Sequence, residues 1–188
     1  MSRCCRTDKC QPDLDCNCPL CTEYVSVDDD HERIEMVNQH SLHLGIVTFW
    51  PLFYGIVDDA SVLENLFDLL EDPKRMMSEY GIRSLSAKDQ FYLLDSNTYR
   101  GNLFVHLHYL LLRGLKLYYM PGSVSMTDKP ELALRAEKIY NMVRERIVET
   151  VYAQWRKDHH FCEMYHPDGG QGLGTAPFNG WTSLIVLI

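Results

Sequence analysis

Apolar residues recur at three- and four-residue steps along two long stretches of the chain, which is the spacing of an amphipathic α-helix. The clearer stripe runs from Ala133 to Val151 and predicts a helix over about residues 130–155. The other stripe runs from Leu103 to Tyr118 and predicts a helix that ends before Pro121. Because charged residues lie off the first stripe and interrupt the second only singly, the pattern indicates two helices that pack against one core.

Two further helices are predicted upstream. Residues 42–57 are apolar nearly all round, which predicts a helix that is buried on most sides and bent at Pro51. Ser61 and Glu64 have the spacing of a capping box, and an apolar stripe of helical period follows from Val62 to Leu70. The sequence therefore predicts a second, shorter helix with a clear start.

The remaining segments lack a helical period. The segment 76–101 is long, polar and without a clear period, so it is predicted to be a loop. Loops of this length in compact domains are usually functional. Residues 1–40 show no sustained pattern, except that Glu23–Val27 predicts a short strand. Thr182–Ile188 begins a last helix. Together these elements predict an all-α fold of about five helices, with a site built on its loops.

The composition is that of a globular domain. Of 188 residues, 46% are hydrophobic and 23% are charged, which is enough for one sizeable core. The formal net charge of -8 argues against nucleic-acid binding. Residues 103–120 form the most apolar long run, but histidine and basic residues interrupt it, so no membrane-spanning segment is predicted. No N-terminal secretory signal is evident, and taken alone the sequence predicts a cytosolic chain.

Six of the seven cysteines lie within the first 21 residues. Cys16, Cys18 and Cys21 could ligate zinc as thiolates, although their spacing is not that of two ligand pairs. The same residues could form disulfides in an oxidising compartment, or the segment could simply be irregular. All three interpretations stay open at the level of sequence.

Other metal and cofactor sites are not predicted. The histidine pairs His40 and His43, and His159 and His160, lack the carboxylates that typically complete a metal site. The glycine-rich segment 169–174 precedes neither a strand nor a lysine, which excludes a phosphate-binding loop. We therefore expect a protein without a metal or cofactor.

A candidate for chemistry lies near the C-terminus. Glu163 is a single carboxylate within the apolar and aromatic segment 161–165, and the glycine-rich turn 168–174 and the segment 177–182 follow it. Aromatic rings bind the apolar faces of sugars, and an apolar surround tunes the pKa of a carboxylate for acid–base work. The pattern is typical of a buried sugar site, and it would equally suit a plain turn between helices.

Several ordered motifs give this candidate a specific context. These motifs are GIVTFWPL at 45–52, SEYGIRSLS at 78–86, YRG at 99–101, YL at 109–110, FCEMY at 161–165 and FNGWTSL at 178–184. In the same order they resemble GYVSLFPL, YGLRSLS, YWRG, NYL, FLWEQY and FxGWTSL, which are signature segments of glycoside hydrolase family 63, the processing α-glucosidase I family. The resemblance covers roughly residues 22–188.

The resemblance implies a fold and a reaction. The family fold is an (α/α)₆ toroid of twelve helices, so residues 22–188 would be the C-terminal portion of that catalytic domain, preceded by an irregular Cys-rich segment at 1–21. The implied reaction is inverting hydrolysis of the terminal α-1,2-linked glucose of the triglucosylated N-glycan precursor, in the endoplasmic reticulum. The implied partner is thus an oligosaccharide. As a partial toroid, the isolated chain is expected to be inactive and only marginally stable.

Inverting hydrolysis requires two carboxyl groups, and the resemblance supplies one of them. Glu163 occupies the position of the family's general base. The family's general acid is an aspartate in an upstream motif that has no counterpart in this chain. The sequence also departs from the family where Cys162 replaces a tryptophan and where His106 and His108 replace asparagines.

The resemblance also implies a set of substrate-binding residues. Arg100 and Trp181 would line or brace the pocket, although a salt bridge for Arg100 and core packing for Trp181 are equally open. Tyr165 would form part of the wall, since an unperturbed phenol stays protonated near neutral pH. Tyr99 and Phe178 complete the set, and the family tryptophan between Tyr99 and Arg100 is missing.

Two alternatives remain. A trehalase shares the toroid and a similar C-terminal ending, but the YGIRSLS segment at 80–86 favours a glucosidase. A non-catalytic helical remnant that binds carbohydrate or a protein partner would account for the missing acid and the altered tryptophan positions.

Overall fold

The computed structural model describes residues 23–28, 31–36, 43–94 and 99–188. The chain separates into two compact units, residues 1–43 and 44–188. In the first unit, strands β1 (Glu23–Asp28) and β2 (His31–Met36) pair as an antiparallel hairpin. The predicted strand at Glu23–Val27 is thus confirmed, whereas the alternatives for Cys16, Cys18 and Cys21 lie outside the described residues.

The second unit is mainly helical, and short strands and irregular loops connect its helices. Its α-helices are α1 (Trp50–Phe53), α2 (Ala60–Glu71), α3 (Val105–Gly114) and α4 (Pro130–Asp158). A π-helical turn, Leu115–Tyr119, continues α3, and 3-10 helices lie at Ile46–Phe49, Val124–Met126 and Trp181–Leu187. The strands β3 (Met164–Tyr165) and β4 (Gly172–Leu173) form an antiparallel hairpin.

The long helix α4 confirms the clearest prediction from the sequence. Its stripe residues Ala136 and Val143 have no exposed surface, because they face the main hydrophobic core. The helix ends where His159 adopts a left-handed conformation with φ of 57° and donates its backbone N–H to the carbonyl of Trp155 at 2.7 Å. This end lies a few residues beyond the predicted one.

Helix α2 is present as predicted, but its N-cap is different. The Asp59 carboxylate accepts the backbone N–H of Ser61 at 2.8 Å and of Val62 at 3.1 Å, so Asp59 is the N-cap residue. The prediction of a capping box formed by Ser61 and Glu64 is therefore wrong. The structure favours Asp59 because its carboxylate reaches two of the unpaired N–H groups of the first turn.

The prediction of one buried helix over residues 42–57 is wrong. The helical elements of its described residues, 43–57, are a 3-10 helix and the single turn α1, and Trp50 and Ile56 are 49% and 72% exposed. Pro51 lies in the first turn of α1, where proline starts a helix instead of bending one. Gly55 has a φ of 66°, which ends the helical backbone soon afterwards.

The loop predicted over residues 76–101 contains no helix among its described residues. Isolated β-bridges join Met77 to Ile82 within it and Gly45 to Leu85 at its middle. The last predicted helix is present as a 3-10 helix at Trp181–Leu187, which packs against α3. The predicted fold class, all-α, is confirmed for residues 44–188. None of the helices in the described part of the chain is long and apolar enough for a membrane crossing.

Two hydrophobic clusters form the core of the second unit. In the larger cluster, α3 approaches α1 so closely that a Cβ atom on Gly114 would lie 2.5 Å from the carbonyl oxygen of Leu52. The smaller cluster contains Tyr165 of β3 together with Leu103, Val105, Ile147, Val151 and Cys162. This smaller cluster supports the segment that carries Glu163.

Candidate functional site

Glu163, the predicted general base, lies immediately before β3 and is partly buried. Its backbone N–H donates to the carbonyl of Thr175 at 3.0 Å, so the pairing of the hairpin extends to this residue. Its side chain accepts the backbone N–H of Thr175 through Oε2, also at 3.0 Å. The opposite arm of the hairpin therefore fixes both the backbone and the carboxylate of Glu163.

Gly174 explains part of the glycine-rich turn. Its φ is 74°, a left-handed conformation that favours glycine. A Cβ atom at this position would lie 2.7 Å from Oε2 of Glu163, which is closer than real Cβ contacts allow. The backbone conformation therefore favours glycine, and a larger residue at this position would displace the carboxylate.

The segment that follows the turn bonds to the backbone around Glu163. The indole Nε1 of Trp181 donates to the carbonyl of Glu163 at 2.7 Å. The hydroxyl of the buried Thr182 donates to the carbonyl of Cys162 at 2.7 Å. Because these contacts join two motifs of the sequence through backbone carbonyls, Trp181 braces the segment of the predicted base.

Aromatic rings form a continuous row beside this segment. The ring centroid of Trp181 lies 4.8 Å from that of Phe178, 5.0 Å from His106 and 6.4 Å from Phe104. Tyr99 stacks on Phe104 with a centroid distance of 4.5 Å and an interplanar angle of 16°. The structure thus brings Tyr99, Phe178 and Trp181 together through Phe104 and His106. Tyr99 is 49% exposed, which leaves ring surface for an apolar sugar face.

Burial of the His106 side chain has an electrostatic consequence. Desolvation lowers the pKa of its imidazole below the ordinary value, which favours the neutral ring. Its Nδ1 is buried without a hydrogen-bond partner among the described residues. From the sequence, His106 was identified only as a departure from the family, and the contact of Phe104 with Tyr99 and Trp181 was missed. Neither residue lies in a segment that matches a family motif.

Tyr165, predicted in the wall of the pocket, has no exposed surface. Its backbone exchanges hydrogen bonds with Leu103 at 2.8 and 3.0 Å, and its hydroxyl accepts the N–H of Cys162 at 3.4 Å. Burial raises the pKa of this phenol to about 12. The structure therefore places the Tyr165 side chain behind the Glu163 segment, in the smaller hydrophobic cluster.

Arg100 contacts its own loop. Its Nη1 donates to the carbonyl of Leu94 at 3.4 Å, and its guanidinium lies 5.3 Å from the centroid of the Phe91 ring. These contacts join Arg100 to Phe91 and Leu94, and both roles that the sequence left open for Arg100 stay predictions.

A polar cluster at Arg83, Tyr92 and Asp168, of which only Arg83 is buried, was missed by sequence reasoning. Its members join the YGIRSLS segment to the glycine-rich turn. Nearby lies a cavity of about 560 Å³, and Glu163 is not among its lining residues in the described part of the chain. The only signal in the sequence was the match of residues 80–86 to a family signature. The cavity is lined by Pro73, Met77, Ser78, Glu79, Tyr80, Arg83, Arg146, Pro167 and Asp168.

Metal ligation has no candidate among residues 43–94 and 99–188, since no three His, Cys, Asp or Glu side chains there are grouped to hold an ion. The prediction of a chain without metal stays a prediction.

Comparison with solved structures supports the fold. An uncharacterized conserved protein from Thermus thermophilus has a TM-score of 0.57 at 16% identity, over 79% of this chain and 31% of that one. The GH63 mannosylglycerate hydrolase from the same organism, in complex with Tris, has a TM-score of 0.52 at 19% identity, over 78% and 30% of the two chains. At these identities the likeness shows the fold alone.

Comparison of sequences identifies the family. A "Probable mannosyl-oligosaccharide glucosidase" of Schizosaccharomyces pombe is 37% identical over 147 residues, which is 78% of this chain and 18% of that protein. The mannosyl-oligosaccharide glucosidase of Saccharomyces cerevisiae is 29% identical over 165 residues, 87% and 19% of the two chains. The chain spans less than a fifth of these relatives. Residues 9–188 match the glycosyl hydrolase family 63 C-terminal domain, and the chain belongs to that family.

Proposed function

We propose that this chain supplies the general-base side of an inverting α-glucosidase site, with Glu163 as the base. The observation that carries the proposal is the fixed carboxylate of Glu163, which the N–H of Thr175 orients at 3.0 Å. The bond from Trp181 to the carbonyl of Glu163 supports it, because it joins the two motifs on which the family resemblance rests. Membership of family 63 supports a glycoside hydrolase.

The proposed chemistry divides between two carboxyl groups. In an inverting enzyme the acid protonates the leaving oxygen, and the base removes a proton from a water that attacks the opposite face of the sugar. The two groups lie about 6.5–9.5 Å apart, which leaves room for that water. Glu163 takes the role of the base, and an aspartate from another part of a complete family 63 catalytic domain takes that of the acid.

The proposed substrate is a glucosylated oligosaccharide. Relatives named as mannosyl-oligosaccharide glucosidases support a glucoside at the non-reducing end of a glycan. We assign the terminal α-1,2-linked glucose of the triglucosylated N-glycan precursor, with action in the endoplasmic reticulum. The row from Tyr99 to Phe178 supports sugar binding, since aromatic rings pack against the apolar faces of hexoses.

The test uses a chimaera in which residues 44–188 replace the matching segment of the fission yeast relative. We expect hydrolysis of the α-1,2-linked disaccharide kojibiose, and a fall of about 10³-fold with Glu163→Gln, because an amide cannot accept the proton. Glu149→Gln is the matched control, since Glu149 is exposed on α4.

Each other outcome contradicts the proposal in a different way. Retained activity in Glu163→Gln would exclude the base. Hydrolysis of trehalose in place of kojibiose would favour the trehalase alternative. A folded chimaera that hydrolyses neither sugar would favour the non-catalytic remnant.

A further inference from the structure

Arg83 is a nearly buried cation whose donors are directed to three separate parts of the chain. The residue is only 7% exposed. Its Nη1 donates to the carbonyls of Pro73, at 3.2 Å, and Met77, which fixes the start of the long loop. Its Nε donates to the hydroxyl of Tyr92 at 2.9 Å. A guanidinium with this many fixed partners is rigid, because its planar fork allows little reorientation.

The remaining donor of Arg83 reaches the glycine-rich turn. Its Nη2 lies 3.1 Å from Oδ1 of Asp168, and the hydroxyl of Tyr92 donates to Oδ2 of the same carboxylate at 2.9 Å. Both oxygens of Asp168 are thus bonded to side chains of the segment 83–92. Charge-assisted hydrogen bonds of this kind are about twice as strong as neutral ones.

Asp168 lies in the loop between β3 and β4, at the opposite end of the hairpin from Glu163. Two backbone bonds close this loop: His166 N–H to Gln171 O, and Gly170 N–H to His166 O, both 2.9 Å long. Gly170 lies against Tyr80, since a Cβ atom there would be 2.6 Å from the ring. The YGIRSLS segment therefore contacts the closed end of the hairpin through both an ion pair and a ring.

We propose that Arg83 is a positioning residue for Glu163, and that it acts by binding Asp168 and so fixing the hairpin that carries the carboxylate. Tyr92 shares this role through its own bond to Asp168. The effect of Arg83 on catalysis rests on the function proposed for Glu163, whereas its effect on the rigidity of the hairpin does not. If Arg83 stabilised only the long loop, a substitution of Asp168 alone would leave the hairpin unaffected.

The first test measures amide hydrogen exchange in the complete 188-residue chain. In Asp168→Ala we expect the hairpin amides of Glu163, His166, Gly170 and Thr175 to exchange about tenfold faster, while those of α2 and α4 are unchanged. Asp168 tolerates this change because its side chain is 47% exposed. Arg83→Lys keeps the charge but not the fork, and it should give an intermediate increase.

Arg135→Met is the matched control. Arg135 binds the carboxylates of Asp68 and Glu71 and so joins α4 to α2, away from the hairpin. This variant should leave hairpin exchange at the wild-type rate. Unchanged hairpin exchange in folded Asp168→Ala, or an equal increase in Arg135→Met, would overturn the proposal.

The second test measures hydrolysis in the chimaera described above. Asp168→Ala should lower kcat about tenfold and change KM less than about twofold, because a displaced base weakens the transition state more than binding. If Glu163→Gln abolishes activity and Asp168→Ala leaves kcat unchanged, the positioning role is wrong and the general base stands. If Glu163→Gln stays active, the proposed function fails while the exchange result still decides the mechanical role.

Discussion

His108 is a buried imidazole with a backbone partner at each ring nitrogen. Its Nε2 accepts the N–H of Ile82 at 2.8 Å, so the proton of the neutral ring lies on Nδ1, 2.7 Å from the carbonyl of Phe104. The ring therefore joins α3 to the YGIRSLS segment. The pKa of this imidazole is lowered to about 4, mainly by burial; the bond to Phe104 opposes the shift and the nearby His106 adds to it.

This pKa predicts acid sensitivity. The unfolded chain binds a proton at His108 below about pH 6.5 and the folded chain only below about pH 4, so stability falls as the pH falls between these values. The loss across the window is on the order of 3 kcal/mol. Urea unfolding at several pH values should show a flatter profile for His108→Asn than for the wild type. His159→Asn, a change at an exposed residue, is the control. If stability depended on pH equally steeply in His108→Asn and in the wild type, the prediction would be contradicted.

Some contacts of the site residues could be predicted from the sequence, and others could not. The motifs 161–165 and 178–184 lie close in sequence, so contact between Trp181 and the Glu163 segment was within reach of the family resemblance. The burial of Tyr165 was not, because it depends on pairing with Leu103, which is distant in sequence. The bond between Arg83 and Asp168 spans 85 positions and leaves no periodic signal.

At the scale of elements, hydrophobic period predicted the long helices and failed for the short ones. Helices α3 and α4 have one buried stripe each, and such a stripe specifies a face. Residues 42–57 are apolar on all sides, and that pattern cannot distinguish a buried helix from short turns whose apolar side chains are partly exposed. Helix starts are also ambiguous where several capping residues are adjacent, as at Asp59 and Ser61.

The cap of α2 gives a test at this scale. Asp59→Ala removes the acceptor of two backbone N–H groups, so we expect Tm to fall by about 3 °C. Ser61→Ala is the matched control and should change Tm by less than about 1 °C, because the Ser61 hydroxyl donates only to Asp59. Thermal unfolding followed by circular dichroism measures both. A larger fall in Tm for Ser61→Ala than for Asp59→Ala would indicate that Ser61 is the N-cap residue.

At the scale of the molecule, the chain matches a small part of much longer relatives. It spans less than a fifth of the length of the yeast relatives, and the family toroid has more helices than residues 44–188 contain. Large apolar side chains are exposed on α4 and beside α1, among them Leu134 at 52%, Trp155 at 41% and Ile56 at 72%. Exposed apolar surface of this kind favours association, because its burial removes it from water.

The isolated 188-residue chain should therefore be inactive towards kojibiose, bind a hydrophobic dye and sediment as a concentration-dependent mixture. Leu134→Gln should lower dye binding and association without loss of helical signal, since this side chain is half exposed on α4. Ile139→Gln on the same helix is the contrast: its side chain has no exposed surface, and a buried amide without partners should unfold the chain. A monomer with a cooperative melt at high temperature and no dye binding would show that residues 44–188 need no further helices to complete their core.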